Sequence, residues 1–292
     1  EVENSKINNI PLPEKPKKIF SCNILLKSLL SRYCANKVEE GSKLILAPHG
    51  GCFGHFDIHF PEKQEHNISD LYLTWGGKQK NNSNEKPFGI TRPLIKKIQN
   101  SKKDLLTMII PNTPIFDGYL HSDIRVDDFL KPGYKIIEGI EEEIKNNNLL
   151  LRFVPRDFGK SDFKRFQNKF PEIRKDLQQI EFDKIISRTR IFLSPYLGTG
   201  YLETLAMNVP TVVFSSASTI KDEAKKYYNI LKDAKIFFDD ETDLSKHINN
   251  IWYDHLSWWN AEKVQKAKKI FCDQYAYINK NKLSDLKNIL IK

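Results

Sequence analysis

The sequence predicts an α/β protein of two Rossmann-like lobes, each a parallel sheet covered by helices. Three observations carry this reading. The chain has 292 residues, enough for about two domains at ~100–200 residues each. Short apolar runs alternate with helical stretches of crossover length, the pattern of βαβ units and hence of parallel strands. A polar interval over 78–103, containing Asn81-Asn82-Ser83-Asn84 and Pro87, interrupts that alternation and reads as the domain boundary. Residues 1–90 are therefore expected to form a first lobe and residues 91–292 a second, ending in a long helix.

The elements follow in order. Residues 1–18, with Pro11, Pro13 and Pro16, form an extended lead-in. Helical spacing runs from Ile24 to Glu39 and stops at Glu40-Gly41-Ser42. The apolar strand 43–47 ends in the loop Pro48-His49-Gly50-Gly51-Cys52-Phe53-Gly54, and a second strand over 70–75 is closed by Gly76-Gly77. In the second lobe, strands are expected at 105–110, 149–154, 191–194, 211–214 and 235–238. Helices are expected at 132–146, 161–170, 182–187, 200–208, 220–232 and 242–276, with Asp239-Asp240-Glu241 as first-turn and cap residues of the last.

Composition excludes several classes. With 18 Phe, 11 Tyr and 4 Trp the chain can build real cores, which argues against disorder. The longest apolar runs fall short of the ~18–20 residues of a transmembrane helix, and Glu1-Val2-Glu3-Asn4 is not a signal peptide start. The four cysteines, Cys22, Cys34, Cys52 and Cys272, show no paired spacing and read as reduced thiols of a cytoplasmic protein. Lys and Arg number 46 against 37 Asp and Glu, a net +9, which favours anionic partners. Residues 262–292 alone carry eight Lys against three acids, a face suited to solvent or to the anionic inner membrane surface.

Ligands of open α/β sheets sit beyond the carboxyl ends of strands, so the loops at 48–54, 111–122, 155–161, 195–200 and 215–219 are where chemistry is expected. The most informative is Gly198-Thr199-Gly200-Tyr201-Leu202-Glu203. Here a glycine-rich turn opens a helix whose free N–H groups and positive dipole end suit a phosphate. Glu203 lies about one turn after Thr199, where a carboxylate can accept both hydroxyls of a ribose. Arg152 and Arg156, with Asp157, flank another strand end, and two guanidiniums there can neutralise a diphosphate or a carboxylated sugar. Gly159-Lys160-Ser161 is not a P-loop, because Val154 occupies the position of the first glycine. His55 and His59 stand four apart without a third ligand at matching spacing, so no metal is expected.

The pattern Thr199-Gly200 with Glu203, Leu205-Ala206 and Pro210 resembles the donor-nucleotide site of GT-B glycosyltransferases. More widely, Lys17-Lys18-Ile19-Phe20, Pro48-His49-Gly50-Gly51, Leu71-Tyr72-Leu73-Thr74-Trp75-Gly76, Arg152-Phe153-Val154-Pro155-Arg156-Asp157 and Trp258-Trp259, in that order, resemble one bacterial family of surface-carbohydrate (O-antigen and capsule) transferases. Pro48, Cys52 and Gly77 depart from that family's pattern. The resemblance implies a GT-B fold with the first, acceptor-side lobe incomplete, and a second lobe that binds the donor through Arg152, Arg156, Asp157, Gly198, Thr199, Gly200 and Glu203. It implies transfer of a sugar from a nucleotide sugar, the substrate rather than a cofactor, to a lipid-linked or oligosaccharide acceptor, with no nucleic acid involved. Such transfer needs a base near the acceptor hydroxyl. His49, beside two glycines at a strand end and titrating near neutrality, is the first candidate, with Glu65 and Asp70 behind it. A polyol-phosphate transferase of the CDP-glycerol type, or a silent nucleotide-binding module of polysaccharide assembly, remain the alternatives.

Overall fold

The computed structural model describes residues 12–22, 24, 28–51, 53–78, 83–92, 94, 102–111, 127–155, 159, 161–216 and 220–291. The chain divides into two compact units. One comprises Glu1–Gly54, Phe60–Pro93 and Asp273–Lys292, the other His55–His59 and Leu94–Cys272. This differs from the expected division at residue 90 in two ways: residues 55–59 belong with the second unit, and the end of the chain belongs with the first.

The first unit is built on a four-stranded parallel sheet of β1 (Lys18–Ser21), β2 (Lys43–Leu46), β3 (Leu71–Thr74) and β4 (Glu85–Pro87), in that order. Helices α1 (Ser28–Glu39) and α2 (Phe60–Ile68) lie between successive strands in the chain, as parallel pairing demands. The period of two is visible in β2. Leu44 and Leu46 pack with Ile24, Cys34, Phe53 and Tyr72 on one face, while Ile45 packs with Ala47, Leu73 and Phe88 on the other.

The second face is covered by Leu286, Ile289 and Leu290 of a C-terminal helix whose range is given below. The returning chain is held by backbone bonds. Gly77 N–H donates to Gln274 O (2.9 Å), Tyr277 N–H to Trp75 O (2.8 Å) and Ile90 N–H to Tyr277 O (2.9 Å). A Cβ on Gly76 would overlap the Gln274 carbonyl, and one on Gly77 the Gln274 side-chain amide. Glycine at both positions is therefore what lets the C-terminal segment lie against β3.

The second unit holds six parallel strands, β5 (Leu105–Ile110), β6 (Leu149–Phe153), β7 (Arg174–Asp176), β8 (Thr189–Ser194), β9 (Thr211–Phe214) and β10 (Phe237–Phe238), arranged β10-β9-β8-β5-β6-β7. Counted within the unit this is the doubly wound order 3-2-1-4-5-6, which reverses between β5 and β8. Its helices are α3 (Asp127–Gly139), α4 (Glu142–Asn148), α5 (Asp162–Lys169), α6 (Phe182–Arg188), α7 (Thr199–Ala206), α8 (Asp222–Asp233), α9 (Glu241–Ile251), α10 (His255–Trp259) and α11 (Glu262–Tyr275), and α12 (Lys282–Ile291) completes the first unit. The core gathers Leu106, Met108, Ile110, Leu151 and Leu193 of the sheet against Ile136, Ile137, Leu244 and Ile248 of α3 and α9.

Two expected helices are divided. The stretch 132–146 breaks at Ile140-Glu141, where Asn249 accepts from Glu141 N–H (3.1 Å) and donates to Gly139 O (3.0 Å), tying α9 to the break. The stretch 242–276 becomes α9, α10 and α11. Asp240 caps α9 through Asp243 N–H (2.8 Å), and Asp254 caps α10. The two tryptophans of α10 secure it, Trp258 Nε1 donating to Ala234 O (3.2 Å) and Trp259 Nε1 to Asn208 Oδ1 (3.2 Å). Asn208 has φ 59°, a left-handed conformation that asparagine tolerates after a helix. Among the described residues, Cys22, Cys34 and Cys272 are in no disulfide; Cys52 lies outside the described residues.

Candidate functional site

The reversal of strand order sets the carboxyl ends of β5 and β8 side by side, the position at which doubly wound sheets bind ligands. The segment after β5 lies outside the described residues. The turn after β8 is well defined. Ser194 Oγ donates to Tyr196 O (2.7 Å), and a Cβ on Gly198 would overlap the Tyr196 ring, so any other residue there would have to displace that ring. Gly198 is the N-cap of α7 in extended conformation (φ −93°, ψ −160°) and brings no side chain to cap it. Thr199 opens the helix and Glu203 follows one turn later, 9% exposed. An added Cβ on Gly200 would stand 3.1 Å from Phe192 and 3.2 Å from Ile109, so the glycine lets α7 lie tight on β5 and β8. Behind it, Thr211 Oγ1 lies within hydrogen-bond distance of Thr204 Oγ1 (2.9 Å) and Val209 O (2.8 Å). The helix is anchored before any ligand arrives.

The arginines divide differently. Arg152 is 7% exposed and lies opposite Asp176 on the neighbouring strand. Its guanidinium pairs with the Asp176 carboxylate, donates to Ile180 O (2.9 Å) and stacks over the Phe182 ring at 5.6 Å. Asp176 also accepts from Gln179 N–H (3.0 Å) and Ile180 N–H (3.2 Å). This corrects the expectation that Arg152 serves a phosphate: it is one half of a buried ion pair that fixes the turn after β7. Arg156 and Asp157 lie outside the described residues.

In the first unit, His49 stands in the loop after β2, half-buried, its ring edge-on to Phe53 at 5.2 Å. Glu65 and Asp70 are not in that loop. Asp70 precedes β3, at the opposite end of the sheet, and accepts from Lys43 Nζ (2.9 Å) and Leu44 N–H (2.8 Å). Desolvation, the largest single effect, raises its carboxyl, but the Lys43 and Leu44 bonds and the Lys43 charge together outweigh it and hold the group below the usual range; the same bonds join β2 to β3. Glu65 is buried on α2. Desolvation pushes it up to about 8, with the Tyr72 hydroxyl bond (3.3 Å) opposing and Glu62 reinforcing the shift. Around it, Glu62 accepts from Gly54 N–H (2.9 Å), and His66 stands 3.3 Å from Glu85 and stacks on Tyr72 with ring centroids 3.9 Å apart. Both carboxylates thus have structural partners within the first unit.

Sequence reasoning missed a buried chain of polar groups beside α7. Tyr201 and Tyr228 share a hydrogen bond of 2.8 Å, and Tyr228 Oη is 2.8 Å from His55 Nδ1. Burial first, then Lys221 and His59, push His55 down to about 3, so the ring is neutral at ordinary pH. Its only signal in the sequence was the His55/His59 spacing. Among the described residues no cluster of His, Cys, Asp and Glu is arranged to hold a metal.

A family model described as LIC12162 family transferase matches residues 2–290, and the chain belongs to that family. A search among curated proteins finds no match. Among solved structures the chain resembles S. aureus MnaA in a co-structure with UDP, with a TM-score of 0.57 and 11% identity over 98% of this chain and 78% of that one. It also resembles Alr3699/HepE of Anabaena in complex with UDP and glucose, at 0.54 and 10% over 100% and 80%. TarM is similar at 0.51 and 12% over 88% of this chain and 52% of its own length, so this chain spans about half of TarM. At such identities the likeness is one of fold: two Rossmann-like lobes of the GT-B type.

Proposed function

We propose that this member of the LIC12162 transferase family is a glycosyltransferase that moves a sugar from a nucleotide-activated donor onto a bacterial surface-glycan precursor of the O-antigen or capsule kind. The observation that carries the reading is the reversal of strand order between β5 and β8, with α7 opening directly after β8. The N-terminal end of α7 suits a diphosphate, because its N–H groups and dipole favour negative charge. Glu203, one turn on, is within the same helix to accept the ribose hydroxyls. Two similar folds were captured with UDP, which supports a nucleotide donor. With Arg152 engaged by Asp176, Arg156 is the remaining arginine proposed for the departing phosphate.

In the first unit, His49 is proposed to take the proton of the acceptor hydroxyl as that oxygen attacks the anomeric carbon and the nucleotide leaves. A neutral imidazole is suited to this at neutral pH. The acceptor is proposed to be lipid-linked or an oligosaccharide, and the reaction to be cytoplasmic, beside the inner membrane. The outer face of α12 supports that placement: Leu283 (80% exposed) and Ile291 (72%) flank exposed Lys287, a pairing of apolar and basic groups that suits an anionic lipid surface. No helix among the described residues is long and apolar enough to cross a membrane.

Calorimetric titration of UDP and CDP into wild type and Glu203→Ala tests the donor site. The loss of hydrogen bonds to a carboxylate is expected to weaken binding by ~1.5–3 kcal/mol, roughly ten- to hundredfold, with the melting temperature little changed. Equal affinity in the two proteins contradicts the assignment.

A further inference from the structure

We propose that His55 and Tyr228 are positioning residues for the donor helix, acting on α7 through the hydroxyl of Tyr201. This rests on the donor-site reading given above, but on different residues. Tyr201 lies between Thr199 and Glu203 in the sequence of α7. At 100° per residue it points roughly 200° away from Glu203, so a bond to Tyr201 holds the helix from the side opposite the proposed ribose contact. That bond comes from Tyr228 of α8 (2.8 Å), which is bound in turn to His55 Nδ1 (2.8 Å). All three side chains are at least 98% buried, where a hydrogen bond has no water to exchange with and its loss is felt in full.

The ring of His55 is itself held. It packs on Phe271 of α11 at 6.1 Å and edge-on to Tyr228 at 5.8 Å. The backbone carbonyl of His55 accepts from Lys221 N–H (2.9 Å), and Phe56 forms an antiparallel bridge with Ile220. Phe271 also packs against both tyrosines, at 6.2 Å from Tyr201 and 5.3 Å from Tyr228. Sheet-side contacts at Gly200 and Thr204 hold α7 on one face, and this aromatic and hydrogen-bonded chain holds it on the adjoining face, roughly 60–100° round the helix. Two rigid supports determine the direction in which the helix presents its first turn. His55 is also the residue directly after Gly54, so the segment that follows the His49 loop supplies the outermost link of the chain.

The test uses the full chain, with UDP and CDP as probes, and combines calorimetry with amide hydrogen exchange of residues 199–206. Tyr228→Phe removes both bonds while keeping the ring, and His55→Gln moves the polar group away from the Nδ1 position. Both are expected to raise Kd about five- to tenfold, as the loss of one or two buried hydrogen bonds does, and to speed exchange in α7. His55→Asn, whose side-chain amide occupies the place of Nδ1, is expected to restore both readouts towards wild type. A role confined to general stability would instead lower the fraction of protein that binds while leaving Kd unchanged, and would not distinguish Asn from Gln. Unchanged Kd and unchanged α7 exchange in Tyr228→Phe overturn the proposal. Should wild type bind neither nucleotide while Tyr228→Phe still speeds exchange of 199–206, the donor-site reading falls and the positioning of α7 stands. If Glu203→Ala loses affinity and Tyr228→Phe does not, the donor site stands and the positioning role falls.

Discussion

Replacing Asp176 by alanine leaves the Arg152 guanidinium buried beside a hole. Arg152 is 7% and Asp176 4% exposed, so solvent cannot substitute for the lost partner, and breaking such a pair from one side costs about 3–5 kcal/mol. The same substitution removes the acceptor of the Gln179 and Ile180 amides, each worth ~1 kcal/mol, giving a loss of about 5–7 kcal/mol. Arg152→Met is milder at about 2–3 kcal/mol, since Asp176 keeps its two amide donors and an apolar chain of similar length fills the site. The double variant Arg152→Met/Asp176→Ala is expected to cost about 2–3 kcal/mol less than the sum of the two, because the unpaired charge is no longer there to be penalised. Urea unfolding followed by circular dichroism measures all three. Additivity to within ~0.5 kcal/mol refutes the coupling. A tenfold weakening of UDP or CDP binding in folded Arg152→Met would instead return Arg152 to the donor site.

Two further predictions follow from the first unit. Glu65, pushed up to about 8 from an ordinary 4.5, keeps its proton in the folded chain where the unfolded chain releases it. Its contribution to stability is therefore full below about pH 4.5 and lost as pH rises towards 8. Glu65→Gln, which stays neutral, is expected to flatten the fall in urea midpoint between pH 5 and 8.5, and parallel pH profiles for the two proteins contradict this. Gly76→Ala should destabilise by several kcal/mol, as a Cβ forced against backbone does, because the obstacle is the Gln274 carbonyl. Gly77→Ala meets only the Gln274 side chain, so it should be mild and relieved by Gln274→Ala; equal thermal shifts in the two alanine variants sink this account.

The second unit was the more legible half. Its strands are apolar runs of four to six residues such as β5, β8 and β9, and the helices between them fix parallel pairing, so alternation alone indicated the sheet. What escaped notice had physical cause. Helix α2 reads Phe-Pro-Glu-Lys-Gln-Glu-His-Asn-Ile, and the residues it buries include Glu62 and Glu65, so its inward face carries no apolar stripe. The edge strand β7, Arg174–Asp176, is three charged residues whose identity as a strand depends on pairing with β6. Arg152 looked like a surface ligand because its partner lies 24 residues on, and nothing local announces a pair between neighbouring strands. The glycine-rich turn at 198–200 was visible, but the assignment of Gly200 to sheet packing needed the positions of Phe192 and Ile109. The tyrosines of α7 and α8 are core residues, and their hydroxyl bonds leave no trace in periodicity.

The most direct test of the account is the release of free nucleoside mono- or diphosphate from nucleotide sugars in the presence of an acceptor extract. Acceptor-dependent release is expected for wild type and is expected to be lost in His49→Ala, whose nucleotide affinity should stay within about twofold, or ~0.4 kcal/mol, because Glu203 and α7 belong to the other unit. Binding of UDP or CDP without acceptor-dependent release from any nucleotide sugar would contradict the proposed transfer and leave a nucleotide-binding module in its place.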